Sequence, residues 1–287
     1  LTFNNFINSV SQWDNEINFS RKDRYIQCLP LNHIAGLSII IRSQIKGFES
    51  ILMNRFNASK INFEIDNGAT LISLVPSMLK RLINNRSGKP FPSHFRGIIM
   101  GGDGCSTKLM MYALKNKLPI YKTYGMTETC SGVAGFWLQK FPEMLDSVGK
   151  RFRNNKITIS NSKVVIEGPA VSPFELNKSS LSLLTSDIGI IEKKFLFLKG
   201  RSDDIVITGG ENISLSKIKY ILFKHNDISD IHLDTKHDDN IGTNISAFIE
   251  VSTDNLDVQD IKNHLLKYLS KDQCPATIQI VDKIHHD

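Results

Sequence analysis

"FRGIIMGGDGCSTKLMMYALKNKLPIYKTYGMTETCSG" occupies residues 95–132, and its reading decides the fold class. The apolar run FRGIIM has the length of a strand and ends in the paired glycines Gly101 and Gly102. STKLMMYALKNK (106–117) follows as a helix, with Ser106 where a capping hydroxyl belongs. LPIYKTYG (118–125) is again a strand. Strand, helix and strand in so short a span imply a parallel pair joined by a helical crossover.

The same alternation runs back toward the start of the chain. YIQCLPL (25–31) reads as a buried strand ended by Pro30, and IAGLSIIIRSQIKG (34–47) as an apolar helix closed by Gly47. ATLISLV (69–75) is a strand and PSMLKRLINN (76–85) a helix. Its proline stands at the first position, where a missing N–H costs nothing. The fold class is therefore α/β, a mainly parallel sheet covered by helices. From about residue 150 the texture turns to hairpins, KITISNSKVVIEG (156–168) and IGIIEKKFLFLKG (188–200), so a small β-rich subdomain is expected over about 150–202. Beyond a boundary near Asp203, helical spacing in SLSKIKYILFKHN (214–226) and DVQDIKNHLLKYLS (257–270) alternates with strands, the last being ATIQIV (276–281). Residues 203–287 form a small α+β domain of their own.

Composition narrows the function classes. The 287 residues carry a net charge of +6 that is scattered rather than blocked, so no nucleic-acid partner is expected. No apolar run approaches the roughly 18 residues of a membrane-spanning helix. Cys28, Cys105, Cys130 and Cys274 form no C-x-x-C pair, which excludes a zinc ribbon and fits free thiols in a reducing cytoplasm. The oligomeric state is not readable from the sequence.

The chemistry concentrates where strands end, which is where open α/β sheets bind ligands. Gly101 and Gly102 let a flat ring or a phosphate approach the backbone. Tyr124 offers a face for stacking and Gly125 turns the chain. Thr127 and Thr129 can donate to phosphate oxygens, and Glu128 is a hard oxygen ligand suited to Mg2+. Either turn alone reads equally well as an ordinary βα turn; together they describe a nucleotide site. Asp187, in TSDIG (185–189), can grip ribose hydroxyls and Arg201, in GRSDD (200–204), can assist. A surface ion pair is the competing reading. In ITGGENIS (207–214), Gly209 and Gly210 make a flexible loop before a helix capped by Ser214. His33, in LPLNHIAGL, lines a pocket or sits satisfied in the core, and Arg42 faces a pocket or snorkels. RSGKP (86–90) lacks the glycine and the hydroxyl residue of a phosphate loop.

LPLNHIAGL, YGMTET, TSDIG and GRSDDIVITGGENIS, in this order, resemble the adenylate-forming acyl-CoA synthetase superfamily over nearly the whole chain, and within it look most like the 2-succinylbenzoate–CoA ligases of menaquinone synthesis. The resemblance implies a cytoplasmic enzyme that uses ATP, Mg2+ and coenzyme A to convert a small carboxylic acid to an acyl-adenylate and then to a thioester. It implies that residues 1–202 are part of a large nucleotide- and acyl-binding domain and 203–287 a mobile domain, with Asp203 the hinge. Gly101, Gly102, Tyr124 and Gly125 would surround the adenine. Thr127 would meet the α-phosphate, Glu128 the Mg2+, and Asp187 and Arg201 the ribose. His33 would line the acyl pocket, and Gly209, Gly210 and Glu211 would reach the thioester-forming site. It further implies that the family's phosphate loop lies upstream of LTFNNF and its late lysine beyond VDKIHHD, so that this stretch alone adenylates weakly. Other aryl or fatty acyl-CoA ligases, and a nucleotide-binding homologue without catalysis, are the alternatives.

Overall fold

The computed structural model describes residues 1–102, 105–176, 182–208, 211–225, 227–238, 242–251 and 256–284. The chain divides into two compact units. One comprises Leu1–Asp103, Ala113–Thr185 and Ile190–Phe197; the other comprises Gly104–Tyr112, Ser186–Gly189 and Leu198–Asp287.

In the first unit the elements follow as α1 (Phe3–Ile17), β1 (Arg24–Gln27), α2 (Ile34–Lys46), β2 (Glu49–Leu52), α3 (Ala58–Asp66), β3 (Leu71–Leu74), α4 (Pro76–Arg86) and β4 (Gly97–Met100). After α5 (Thr107–Lys115), whose residues 107–112 belong to the second unit, the first unit continues with β5 (Ile120–Met126), β6 (Ser131–Trp137) and β7 (Lys150–Arg151). The seven strands lie in the order β2-β1-β3-β4-β5-β6-β7. Pairing is parallel from β2 to β5 and antiparallel from β5 to β7. The largely apolar character of β3 and β4, broken only by Ser73, has its reason here: both are buried at every residue, as expected for central parallel strands covered on both faces. Ser106 caps α5 as the sequence suggests, its Oγ accepting the Leu109 amide at 3.3 Å.

The β-rich part is a four-stranded sheet, β11-β10-β9-β8, built from β8 (Lys156–Ser160), β9 (Lys163–Glu167), β10 (Leu183–Glu192) and β11 (Phe195–Arg201). Asn161 and Ser162 join β8 to β9 with φ of 48° and 64°, the pair of left-handed residues that a tight hairpin demands.

The second unit holds β12 (Ile205–Thr208), β13 (Glu211–Ser214), α6 (Leu215–Phe223), β14 (Ile228–Asp238), β15 (Gly242–Val251), α7 (Val258–Leu266) and β16 (Thr277–Val281). The strand order is β13-β12-β15-β14, with β16 parallel to β15. Ile218, Ile221 and Leu222 of α6 and Ile261 and Leu265 of α7 pack into one apolar core with Ile231 and Ile249 of the sheet.

Three sequence readings change. The first strand stops at Gln27, because the Gln27 side chain donates to the Leu29 carbonyl at 2.7 Å and turns the chain before Pro30. ITGGENIS is not simply a loop before a helix: β12 and β13 pair antiparallel through it. Gly209 and Gly210 themselves lie outside the described residues. Helix α7 ends at Leu266, short of the 257–270 span whose spacing is helical, and Tyr268 beyond it is 51% exposed. β2, α3 and β6 carry no clear sequence signal of their own, whereas α1 has one in the helical spacing of Phe6, Val10, Trp13 and Ile17.

Candidate nucleotide site

Strands β1, β3, β4 and β5 run parallel and so present their carboxyl ends along one edge, with the chain order reversing between β1 and β3. That is the edge at which open α/β sheets take ligands. Gly101 and Gly102 follow β4. A Cβ on Gly101 would lie 3.0 Å from the Thr123 methyl, and one on Gly102 would lie 3.2 Å from Val75, with φ already at +93°. The glycines thus leave bare backbone at the mouth of the sheet.

The neighbouring strand β5 carries the aromatic ring and the turn. Tyr124 is buried, Gly125 and Thr127 are exposed, and Glu128 is half-buried. The β5–β6 ladder slips by one residue between Tyr124 and Gly125, a bulge of the kind that re-aims side chains beside functional sites. Gly125 is required there, because a Cβ would fall 1.9 Å from the Ser131 carbonyl oxygen. Thr127–Thr129 then makes one 3-10 turn, and Cys130 and Ser131 follow at φ of 51° and 91°. Non-glycine residues hold such angles only where their surroundings over-determine them.

The surroundings do so by hydrogen bonds. The fully buried Thr129 hydroxyl accepts from the Met126 amide at 3.0 Å and lies 2.7 Å from the Ser131 carbonyl. Its reading as a phosphate donor is therefore wrong: the hydroxyl is engaged inside the turn. The Ser172 amide donates to the Glu128 carbonyl at 2.7 Å, and the Ser9 hydroxyl donates to the Cys130 carbonyl at 2.6 Å. Among the described residues no hydrogen bond or ion pair engages the Glu128 carboxylate, and no group of three or more His, Cys, Asp or Glu stands ready as a protein cage for a metal. A half-exposed carboxylate with no partner among the described residues fits Mg2+, which binds through one or two carboxylates plus nucleotide oxygens.

His33 begins α2, exposed and without a side-chain capping bond. Gly36 lets the helix close on the preceding loop, since a Cβ there would lie 2.3 Å from the Pro30 carbonyl oxygen. Arg42 does not snorkel; it is 2% exposed. Its guanidinium stacks 4.4 Å over Trp13 and donates to Ser131 Oγ at 2.9 Å, while Nε has no partner among the described residues. Burial pulls its pKa down to about 10, against the favourable Tyr25 and Cys130 groups beside it. No carboxylate among the described residues pairs with it. The sequence signal was an arginine inside an apolar helix.

Within the second unit Arg201 is the hub. It donates to Asp187 Oδ1 at 3.1 Å and grips Asp203 with two bonds of 2.8 and 2.5 Å. The bond to Asp203 raises the guanidinium pKa, and the Arg201 bond holds the Asp203 carboxyl below its usual range. Asp187 is buried, whereas Arg201 and Asp203 are exposed. Glu211 is exposed in β13. The sequence reading passed over Asp204. Its carboxylate accepts from Ser214 Oγ at 2.6 Å and from the Ser216 amide at 2.8 Å, bracing the start of α6 next to the expected hinge. The signal was a second acidic residue ahead of a serine-rich helix start.

The model of the AMP-binding enzyme family matches residues 1–169. A 2-succinylbenzoate–CoA ligase of Geobacillus sp. is 28% identical across 93% of this chain and 59% of its own length. The o-succinylbenzoate coenzyme A synthetase of Bacillus subtilis, solved with ATP and magnesium ion, superposes with a TM-score of 0.81 at 26% identity, covering 99% of this chain and 63% of that one. The same Bacillus subtilis enzyme with its acyl-adenylate intermediate gives 0.81 at 25% identity, covering 99% and 62%. The chain thus spans about three-fifths of the length of the curated relatives it matches.

Proposed function

Because the chain belongs to the AMP-binding enzyme family, we propose that it serves an ATP-dependent acid–CoA ligase of menaquinone biosynthesis that adenylates 2-succinylbenzoate and then forms its CoA thioester. The observation that carries this reading is the turn Thr127–Thr129 at the carboxyl end of β5, locked by buried hydrogen bonds yet presenting a carboxylate with no partner among the described residues. Similarity across 99% of the chain to a synthetase solved with ATP and magnesium supports it.

In adenylation, a carboxylate oxygen of the acid attacks the α-phosphorus and pyrophosphate leaves. Gly101 and Gly102 admit the adenine beside bare backbone, with Tyr124 and Gly125 on its other side. The exposed Thr127 hydroxyl donates to the α-phosphate, where charge changes most. Glu128 would hold Mg2+, which supplies charge neutralisation at the phosphates. Asp187, steadied by Arg201, takes the ribose hydroxyls. In the second half-reaction the coenzyme A thiol displaces AMP, with Asp203 as hinge and Glu211 on the thioester-forming side. The free cysteines Cys28, Cys105, Cys130 and Cys274 fit a cytoplasmic location. No described helix is long and apolar enough to cross a membrane.

Arg42 supports the choice of a diacid. A buried cation with no carboxylate partner is costly, and 2-succinylbenzoate brings a second carboxylate that adenylation leaves charged. His33, exposed at the start of α2, is assigned to the acyl side as well. Calorimetric binding of two non-hydrolysable adenylate analogues, one of 2-succinylbenzoate and one of benzoate, tests this. Arg42→Met should weaken the diacid analogue about tenfold or more, the worth of one charge-assisted bond, and leave the benzoate analogue unchanged. Equal weakening of both would remove the diacid assignment.

A further inference from the structure

A surface helix ordinarily buries an apolar stripe. α1 instead turns Asn5, Ser9 and Gln12 inward beside Val10, Trp13 and Ile17, and all three polar residues are 5% exposed or less. Each is satisfied by a distant segment of the same unit. Gln12 and Asn155 exchange two amide bonds of 3.2 and 3.1 Å. Ser9 donates to the Cys130 carbonyl at 2.6 Å. The Asn5 side chain works in both directions. Its Oδ1 accepts from the Thr2 amide and hydroxyl, both at 2.8 Å, closing the helix start. Its Nδ2 donates to the carbonyls of Val171 at 2.9 Å and Pro169 at 3.3 Å. The next residue, Ser172, donates its amide to the Glu128 carbonyl.

We propose that Asn5 and Ser9 are positioning residues for the Glu128 turn, Asn5 acting through the 169–172 segment on the Glu128 carbonyl and Ser9 acting on the Cys130 carbonyl. Neither touches ligand. Together they clamp the turn from both sides of its carboxylate and hold Cys130 and Ser131 at their left-handed angles. The inference rests on reading Glu128 as the metal-binding carboxylate. Residues that orient such a ligand govern metal affinity without contacting the metal.

The test compares the unchanged chain with Asn5→Asp, Ser9→Ala and Ser9→Thr. Asn5→Asp keeps the Oδ1 that caps Thr2 but turns a carboxylate oxygen onto the carbonyls of Pro169 and Val171. Amide hydrogen exchange at Ser172 and Cys130 reads the clamp. Mn2+ uptake with ATP, followed by electron paramagnetic resonance, reads the carboxylate, and ATP binding without metal is the control. In Asn5→Asp and Ser9→Ala, exchange should accelerate at those amides but not at Ile72 in β3. Mn2+·ATP affinity should fall about tenfold with metal-free ATP binding unchanged, and Ser9→Thr, which retains the hydroxyl, should restore both readouts. Unchanged exchange at both amides overturns the proposal, as does acceleration spread equally to Ile72, or loss of metal-free ATP binding in step with the metal. If the unchanged chain takes up no Mn2+·ATP, the functional reading fails. The exchange arm then still decides whether α1 holds the turn.

Discussion

In the first unit, the turn Thr127–Thr129 is enclosed by groups with almost no access to water: Thr129, Ser9, Cys130 and Ser172 are all buried. In the second unit, Arg201 and Asp203 meet in solvent, with side chains 45% and 47% exposed, and only Asp187 is covered. Buried hydrogen bonds are expensive to break because the orphaned group has no water to turn to. Exposed ion pairs are worth little and weaken with salt. The turn is therefore a fixed geometry, and the Arg201 cluster is a set of charges that can exchange partners at small cost, as the ribose and hinge roles proposed for it require.

The largest break in this contrast comes at Gly125. Although exposed, it has no room for a side chain, since a Cβ would overlap the Ser131 carbonyl. Gly125→Ala should destabilise the first unit by about 3 kcal/mol, the upper range for forced overpacking. Trp13 and Trp137 are the two tryptophans of the chain and both belong to that unit, so a urea titration followed by tryptophan fluorescence reads it alone. An unmoved midpoint would mean the bulge relaxes freely.

Arg42 sharpens the contrast from within the first unit. Replacing a buried cation that has no carboxylate partner among the described residues by an apolar side chain of similar length should leave stability level or raise it by about 1 kcal/mol, while binding of the diacid adenylate analogue weakens. A marked loss of stability in Arg42→Met would show that the guanidinium is held for packing on Trp13 rather than kept for a ligand.

The smallest effect belongs to the second unit. Asp203→Asn should cost about 0.5 kcal/mol at low salt and nothing measurable at high salt, as exposed pairs do. The folded-state pKa of Asp203 lies below its ordinary 3.8, so its contribution is fully present above that value and disappears as pH falls through the lowered one. An NMR titration of the side-chain carboxyl checks both the direction and the salt dependence.

The same contrast explains what the sequence made legible. Central strands such as LISL and GIIM are buried on both faces, so their composition alone marks them. The two turns after β4 and β5 were legible because glycines, an aromatic ring and a carboxylate seldom coincide by packing needs alone. α1 carries a helical period too, in Phe6, Val10, Trp13 and Ile17, but Asn5, Ser9 and Gln12 share its buried face, so the polar contacts of that face were not legible. β6 hid behind its glycines, and these have a packing reason. A Cβ on Gly132 would lie 2.5 Å from the Trp13 ring, and one on Gly135 would lie 2.5 Å from Tyr121. Thr129 was misassigned because a hydroxyl's partner is a matter of three-dimensional neighbours, and within TET nothing in the spacing distinguishes the exposed Thr127 from the buried Thr129.

The most direct measurement is calorimetric titration of ATP, with and without Mg2+, into the unchanged chain and Glu128→Gln. The carboxylate has no protein partner among the described residues, so the substitution should leave the fluorescence-detected midpoint within about 0.5 kcal/mol of the original. Mg2+ should tighten ATP binding about tenfold in the unchanged chain and make no difference in Glu128→Gln. An equal Mg2+ effect in both proteins would contradict the assignment of this turn as the metal–nucleotide site.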